Sequence, residues 1–146
     1  MDGDRKPIPY LRTPFNETLA AFSPDGRWIA YQSDESGLKQ IYLQTMPTGG
    51  AKYQISSAGG TQPQWRRDGK ELFYISTDGK LVAVPTALGA RIEVGTPQAL
   101  FSGVESTDYA VSRDGQRFLM NLAAGGESAD ARFLTVVLNW VTGLKQ

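Results

Sequence analysis

The chain has 146 residues, 40% of them hydrophobic, with 15 basic and 15 acidic side chains and a formal net charge of zero. This length supports one domain with a real core, and the charge balance argues against nucleic acid or an anionic membrane as main partner, because both need a basic excess. Histidine and cysteine are absent, which excludes Ser-His-Asp and Cys-His chemistry, histidine- or thiolate-bound metals and any disulfide framework.

The start, "MDGDRKPIPY", lacks the apolar stretch of a signal peptide, and no segment approaches the ~18 apolar residues of a membrane span. "KPIPYLRT" reads as a strand. Four more strand-sized runs follow: "TLAAFS", "RWIAYQS", "KQIYLQTM" and "AKYQISS", separated by turns rich in Gly, Pro, Asp and Ser. The next unit reads "TQPQWR", "KELFYIS", "LVAVPTA" and "TPQALFS", and a third reads "TDYAVS", "QRFLMNL" and "RFLTVVLNW". Several runs ("LFYI", "LVAV", "LTVVL") are apolar without alternation, as expected of strands buried on both faces.

The units repeat one another. "FSPDGRWIAY", "WRRDGKELFY" and "VSRDGQRFLM" each place a bulky apolar residue three positions before Asp-Gly. The aspartates Asp25, Asp68 and Asp114 are spaced 68−25 = 43 and 114−68 = 46. A period in the forties with several short strands per unit is the signature of propeller blades. The expected fold is therefore all-β: three four-stranded antiparallel blades, spanning residues 17–57, 60–103 and 106–142, the last without its outer strand. Tyr10 precedes Asp25 by fifteen residues, as Tyr53 precedes Asp68 (25−10 = 68−53 = 15). Residues 7–13 thus take the fourth-strand position of a blade before the first. Propellers close with ~4 to 8 blades, so three blades are expected to form half of a six-bladed ring, closed by two-fold dimerisation with exchange of the N-terminal strand. The expected dimer interface comprises Pro7, Ile8, Pro9, Tyr10 and Leu11 against Phe133, Leu134, Val136, Leu138 and Trp140.

These motifs resemble the TolB-type (WD-repeat-like) β-propeller repeats, whose blades carry "SPDG" before an apolar strand, here "AFSPDGRWIAYQSDESG" and "WRRDGKELFY". The resemblance runs from about Pro7 to Leu144. "GGTQPQWRRDGKELFYIS", "DGKLVAVP" and "TVVLNWVTGL" are similar to the C-terminal blades of bacterial Ser/Thr kinase-associated propeller proteins. The pattern departs at Arg67 and Arg113, which replace proline, and at Met120, which replaces a strand tyrosine. No kinase motif is present. The resemblance implies six blades and a binding or scaffolding role, brings no catalytic residue, and is compatible with a bacterial periplasmic or extracytoplasmic setting.

The three aspartates read as turn-formers, with Gly supplying the positive φ. Asp34 and Glu35 read as a solvated hairpin tip, Arg66 and Arg67 as a surface basic pair, and Trp28, Trp65 and Trp140 as interblade core rather than a sugar site. Ligand chemistry is expected at the connections entering each blade, which surround one mouth of the channel: Asn16 and Glu17, Thr61 and Gln62, and Ser106, Thr107 and Asp108. The expected function is a non-catalytic binding or scaffold module that self-assembles, with itself as partner and a small polar ligand, protein or peptide as a further one. No cofactor is expected, a channel-bound cation being the exception considered. The alternative is a hydrolase using carboxylates or a divalent cation at the same mouth.

Overall fold

A computed structural model describes residues 6–47, 49–122 and 133–138 of the chain. Among them are twelve strands and no helix. The first sheet joins β1 (Thr18–Phe22), β2 (Trp28–Ser33), β3 (Gln40–Thr45) and β4 (Lys52–Gln54) in sequence order. The second joins β5 (Thr61–Trp65), β6 (Glu71–Ile75) and β7 (Leu81–Ala87), with both β8 (Glu93–Val94) and β9 (Gln98–Phe101) on the far side of β7. The third joins β10 (Val104–Val111), β11 (Arg117–Leu122) and β12 (Phe133–Leu138). All pairings are antiparallel. β9 is the fourth strand read from the sequence; β8 was not foreseen, because two residues bonded to Thr86 and Ala87 leave no periodic signal.

Successive residues of a strand point to opposite faces, and this alternation divides the core. Trp28 and Ala30 of β2, with Ile41 and Leu43 of β3, pack against Leu72, Tyr74, Val82 and Val84 of the second sheet. Phe73, Ile75, Leu81 and Ala83 turn the other way and pack against Val104, Tyr109, Phe118 and Met120 of the third. Phe73 and Phe118 meet edge to face, with ring centroids 5.0 Å apart. The sheets thus stack face on face in chain order. Trp28 is buried, and Trp65 packs against the same cluster while its indole N–H donates to the Ala21 carbonyl at 3.2 Å, so both belong to the core. Trp140 lies outside the described residues.

The Asp-Gly turns join the first two strands of each sheet by the same hydrogen bonds. Gly26, Gly69 and Gly115 donate to the carbonyls of Ser23, Arg66 and Ser112, each at 2.9 Å. Asp25, Asp68 and Asp114 accept the main-chain N–H two residues on, from Arg27, Lys70 and Gln116. A Cβ on Gly69 would lie 2.2 Å from Leu88 Cδ1 of its own unit. The turns also touch across sheets: the same Cβ would lie 3.7 Å from Pro24 Cδ, and one on Gly115 would lie 2.8 Å from Arg66 Cδ. Arg66 is no free surface cation: it pairs with Asp68 at 3.1 Å and Glu71 at 3.0 Å, while Arg67 is exposed.

Residues 7–13 lie in no sheet. Pro7 and Pro9 have no N–H to donate, and among the described residues no strand pairs with the segment. Tyr10 and Leu11 nevertheless pack on the outer face of the first sheet, over Ile29, Tyr31 and Tyr42. The Tyr10 hydroxyl donates to the Thr45 carbonyl at 2.7 Å.

Gly26 and Gly69 have nearly the same φ, +70° and +72°, but a Cβ at Gly26 meets nothing within 4 Å. Gly26→Ala therefore carries backbone strain alone, whereas Gly69→Ala adds displacement of Leu88. Each is expected to destabilise by about 1 kcal/mol or more, with the larger loss at Gly69 in urea unfolding.

Candidate functional site

The first strands of the three sheets are neighbours, β1 beside β5 and β5 beside β10. Side chains fasten them. Gln64 Nε2 donates to the Tyr109 carbonyl at 2.5 Å, and the Tyr109 hydroxyl donates to the Gln62 carbonyl at 2.9 Å. Burial pushes the Tyr109 hydroxyl well above its ordinary pKa, so it remains a donor. Gln32 bridges two sheets: its Nε2 donates to Thr18 Oγ1 at 3.2 Å, and its Oε1 accepts from the hydroxyl of Thr61.

Each of these first strands has an irregular register beside its partner. In the first two, a non-glycine residue is left-handed: Leu19 at φ +53° and Gln62 at φ +57°. They occupy one repeat position, six before the turn aspartate (25−19 = 68−62 = 6). Such residues cost on the order of 1–3 kcal/mol each and persist only where their surroundings hold them. Nothing in the residue type betrays this conformation; only comparison of the repeats places the two together.

The residues expected at the channel mouth fall as follows. Asn16 is clasped by Asp34, its main-chain and side-chain nitrogens donating to the two carboxylate oxygens at 2.9 and 2.6 Å. Glu17 accepts from the Thr13 hydroxyl. Thr61 is bound to Gln32, and Gln62 is the left-handed residue. Ser106, Thr107 and Asp108 are in β10, where Asp108 is exposed and the first two side chains are outside the described residues. The hairpin tip is not merely solvated: Asp34 secures Asn16, and Glu35 pairs at 2.5 Å with Lys52, whose ammonium is 4.7 Å from the centre of the Tyr42 ring. Among the described residues, no three His, Cys, Asp or Glu side chains are grouped to hold a metal.

The residues expected at a dimer interface lie at the two ends of the stack. Pro7, Ile8 and Pro9 are exposed, Ile8 by 87%, while Tyr10 and Leu11 are half-buried. Phe133, Leu134 and Leu138 are in β12 with side chains outside the described residues, Val136 is 53% exposed, and Trp140 is not described. Sequence reasoning missed a groove of about 400 Å³ beside β1, walled by Tyr10, Leu11, Leu19, Phe22, Ile29 and Tyr31. A smaller cleft of about 380 Å³ separates Trp28 and Met46 from Gly89 and Ala90.

Two consequences are measurable. Gln62→Val should unfold at lower urea than Gln62→Gly, by about 1 kcal/mol or more, because glycine takes the left-handed backbone without strain whereas a β-branched side chain resists it most. The side-chain amide of Asn16, then its main-chain N–H, hold the Asp34 carboxyl below its ordinary pKa. A carboxylate lowered on folding stabilises above its unfolded pKa of about 3.9, and that contribution is lost as pH falls through the folded value. Acid unfolding should therefore be less steep below about pH 4 in Asp34→Asn than in the parent.

No helix among the described residues is long and apolar enough to cross a membrane. Neither protein-family models nor curated protein sequences give a match. Among solved structures, the chain is similar to an oligogalacturonate lyase from Vibrio parahaemolyticus, with a TM-score of 0.61 at 15% identity over 84% of this chain and 34% of that one. It is also similar to TolB from Acinetobacter baumannii, with a TM-score of 0.60 at 16% identity over 82% of this chain and 29% of that one. Both are β-propeller proteins. The chain spans about a third of their length, and at these identities the likeness is one of fold.

Proposed function

We propose that this chain is a non-catalytic propeller module for binding or scaffolding, which forms half of a six-bladed ring and completes it by pairing with a second copy. The observation that carries this reading is the mismatch at the two ends of the stack. Among the described residues the third sheet has three strands where the first has four. Residues 7–13, at fourth-strand distance before the first unit, lie on the outer face of the first sheet. Tyr10 reaches the face that a fourth strand of a preceding blade would cover, much as Tyr53 of β4, which lies 5.9 Å from the Trp28 ring, belongs to the side turned toward the second sheet.

The prolines suit the role. In an extended strand, Pro7 and Pro9 would put their missing N–H groups on one side, and the donors of Ile8, Tyr10 and Arg12 would face the other. An outermost strand has that form, with its proline side in solvent. Residues 7–13 of one copy would satisfy the open edge of β12 in the other by strand addition, while their side chains stay on their own first sheet. Two such junctions would bury more than about 2,000 Å², in the range of obligate interfaces. Two-fold pairing would also ring one mouth with two copies of Asn16, Glu17, Thr61, Gln62 and Asp108, a setting for a small polar ligand or peptide. No specific observation favours the hydrolase alternative.

Light scattering of the full chain should give twice the chain mass, and stability should rise with protein concentration. Removal of residues 1–13 should abolish the dimer or the fold. A stable full-length monomer, or an equally stable truncated dimer, overturns the assembly.

A further inference from the structure

We infer that the groove beside β1 is a socket for the outer face of a second copy's third sheet, with Leu119 entering against Phe22 and Asn121 reaching Thr18. The inference rests on the dimeric reading above and specifies its contact surface.

The chain's own sheet-to-sheet interface occurs twice among the described residues, and the outer faces of the first and third sheets carry its unmatched positions. The residue five positions after the turn aspartate faces the next sheet: Ala30 (30−25 = 5) and Phe73 (73−68 = 5) are fully buried there, whereas Leu119 (119−114 = 5) is 38% exposed. The residue three positions before the aspartate packs backward on the preceding sheet. Trp65 lies against the cluster that contains Ala30, and Val111 against the cluster that contains Phe73. Phe22 holds the same position with no sheet before it among the described residues and is 63% exposed, on the wall of the groove. Leu119 and Phe22 are thus the two unpaired halves of one repeated contact.

A polar pair repeats in the same way. Gln32, seven residues after its aspartate, accepts a hydrogen bond from Thr61, seven residues before the next one. The equivalent positions at the open ends are Asn121 (121−114 = 7) and Thr18 (25−18 = 7), and Thr18 lines the groove. Apolar and polar positions therefore match in one register. Val136 pairs with Leu119 across the third sheet and is also exposed, so it widens the entering face. The socket would continue, through a third repetition, the interface that joins the sheets within the chain.

The chain has no cysteine, so introduced thiols are unique. Full-length Phe22→Cys and Leu119→Cys chains, each checked for parental circular dichroism, would be mixed, allowed to exchange, and treated with a short bismaleimide. A covalent heterodimer is expected, at several times the yield of a control mixture of Leu38→Cys and Leu119→Cys, Leu38 being exposed between β2 and β3. If the particle has dimer mass but the yield does not exceed the control, the socket is wrong and the dimer stands. A monomeric particle overturns both. Should either cysteine disturb folding, Leu119→Glu supplies the second measurement. The dimer dissociation constant should rise at least about tenfold, because a carboxylate would be buried unpaired; an unchanged constant overturns the socket.

Discussion

A strand that is apolar on both sides must be covered on both sides. β6 states this constraint most plainly: Leu72 and Tyr74 face the first sheet, Phe73 and Ile75 the third, and all four are buried. Neither side of such a strand can turn to water without exposing large side chains, at about 25 cal/mol per Å² of apolar surface. The sheets must stack, and the stack has no natural terminus within itself. In the first sheet the outward residues of β2, Ile29 and Tyr31, are still buried, because Tyr10 and Leu11 lie over them. The N-terminal segment thus covers part of this outer face and leaves the rest, along β1, open.

Much of this was legible from residues alone. Asp-Gly sets its turn by local means: a carboxylate that caps a nearby N–H and a residue free to take positive φ. Three copies at nearly one spacing therefore announced the unit. Non-alternating runs such as "LFYI" announced burial on both faces. What stayed hidden was long-range. Arg66 read as half of a basic pair because nothing in its neighbours reveals that it lies over Gly115 and binds Asp68 and Glu71. Asp34 read as a hairpin tip because Asn16 is eighteen residues away. Residues 7–13 have the spacing of a fourth strand, but their prolines and the lack of an adjacent edge among the described residues keep them out of any sheet.

The left-handed residues of the first strands differ from the turns in how they are held. The turns use residues suited to their backbone, so they are at ease. Leu19 and Gln62 are not suited to theirs, and tertiary contacts hold them: the Tyr109 hydroxyl on the Gln62 carbonyl, and the Gln32 amide between Thr18 and Thr61. The strain is concentrated where neighbouring first strands meet. A repeat protein distributes stability over its nearest-neighbour interfaces, and here those interfaces also hold the left-handed residues of the first strands. Loosening one sheet against the next would relax the left-handed residue beside it, so the conformation of the first strands depends on an intact stack.

The connection between the first and second sheets is sealed by polar groups. Ser56 Oγ accepts the amide of Ile41 at 2.8 Å and donates to Gln40 Oε1, which also accepts the amide of Gly59 at 2.9 Å. Ser56 and Gln40 are buried, and a Cβ on the adjacent Gly60 would collide with Ile41, Ser56 and Tyr74. The amides of Ile41 and Gly59 therefore reach solvent deuterium only when the two sheets part. They form a built-in clock for that opening, readable without any label, and would distinguish a stack whose sheets separate one by one from a stack that opens as a whole.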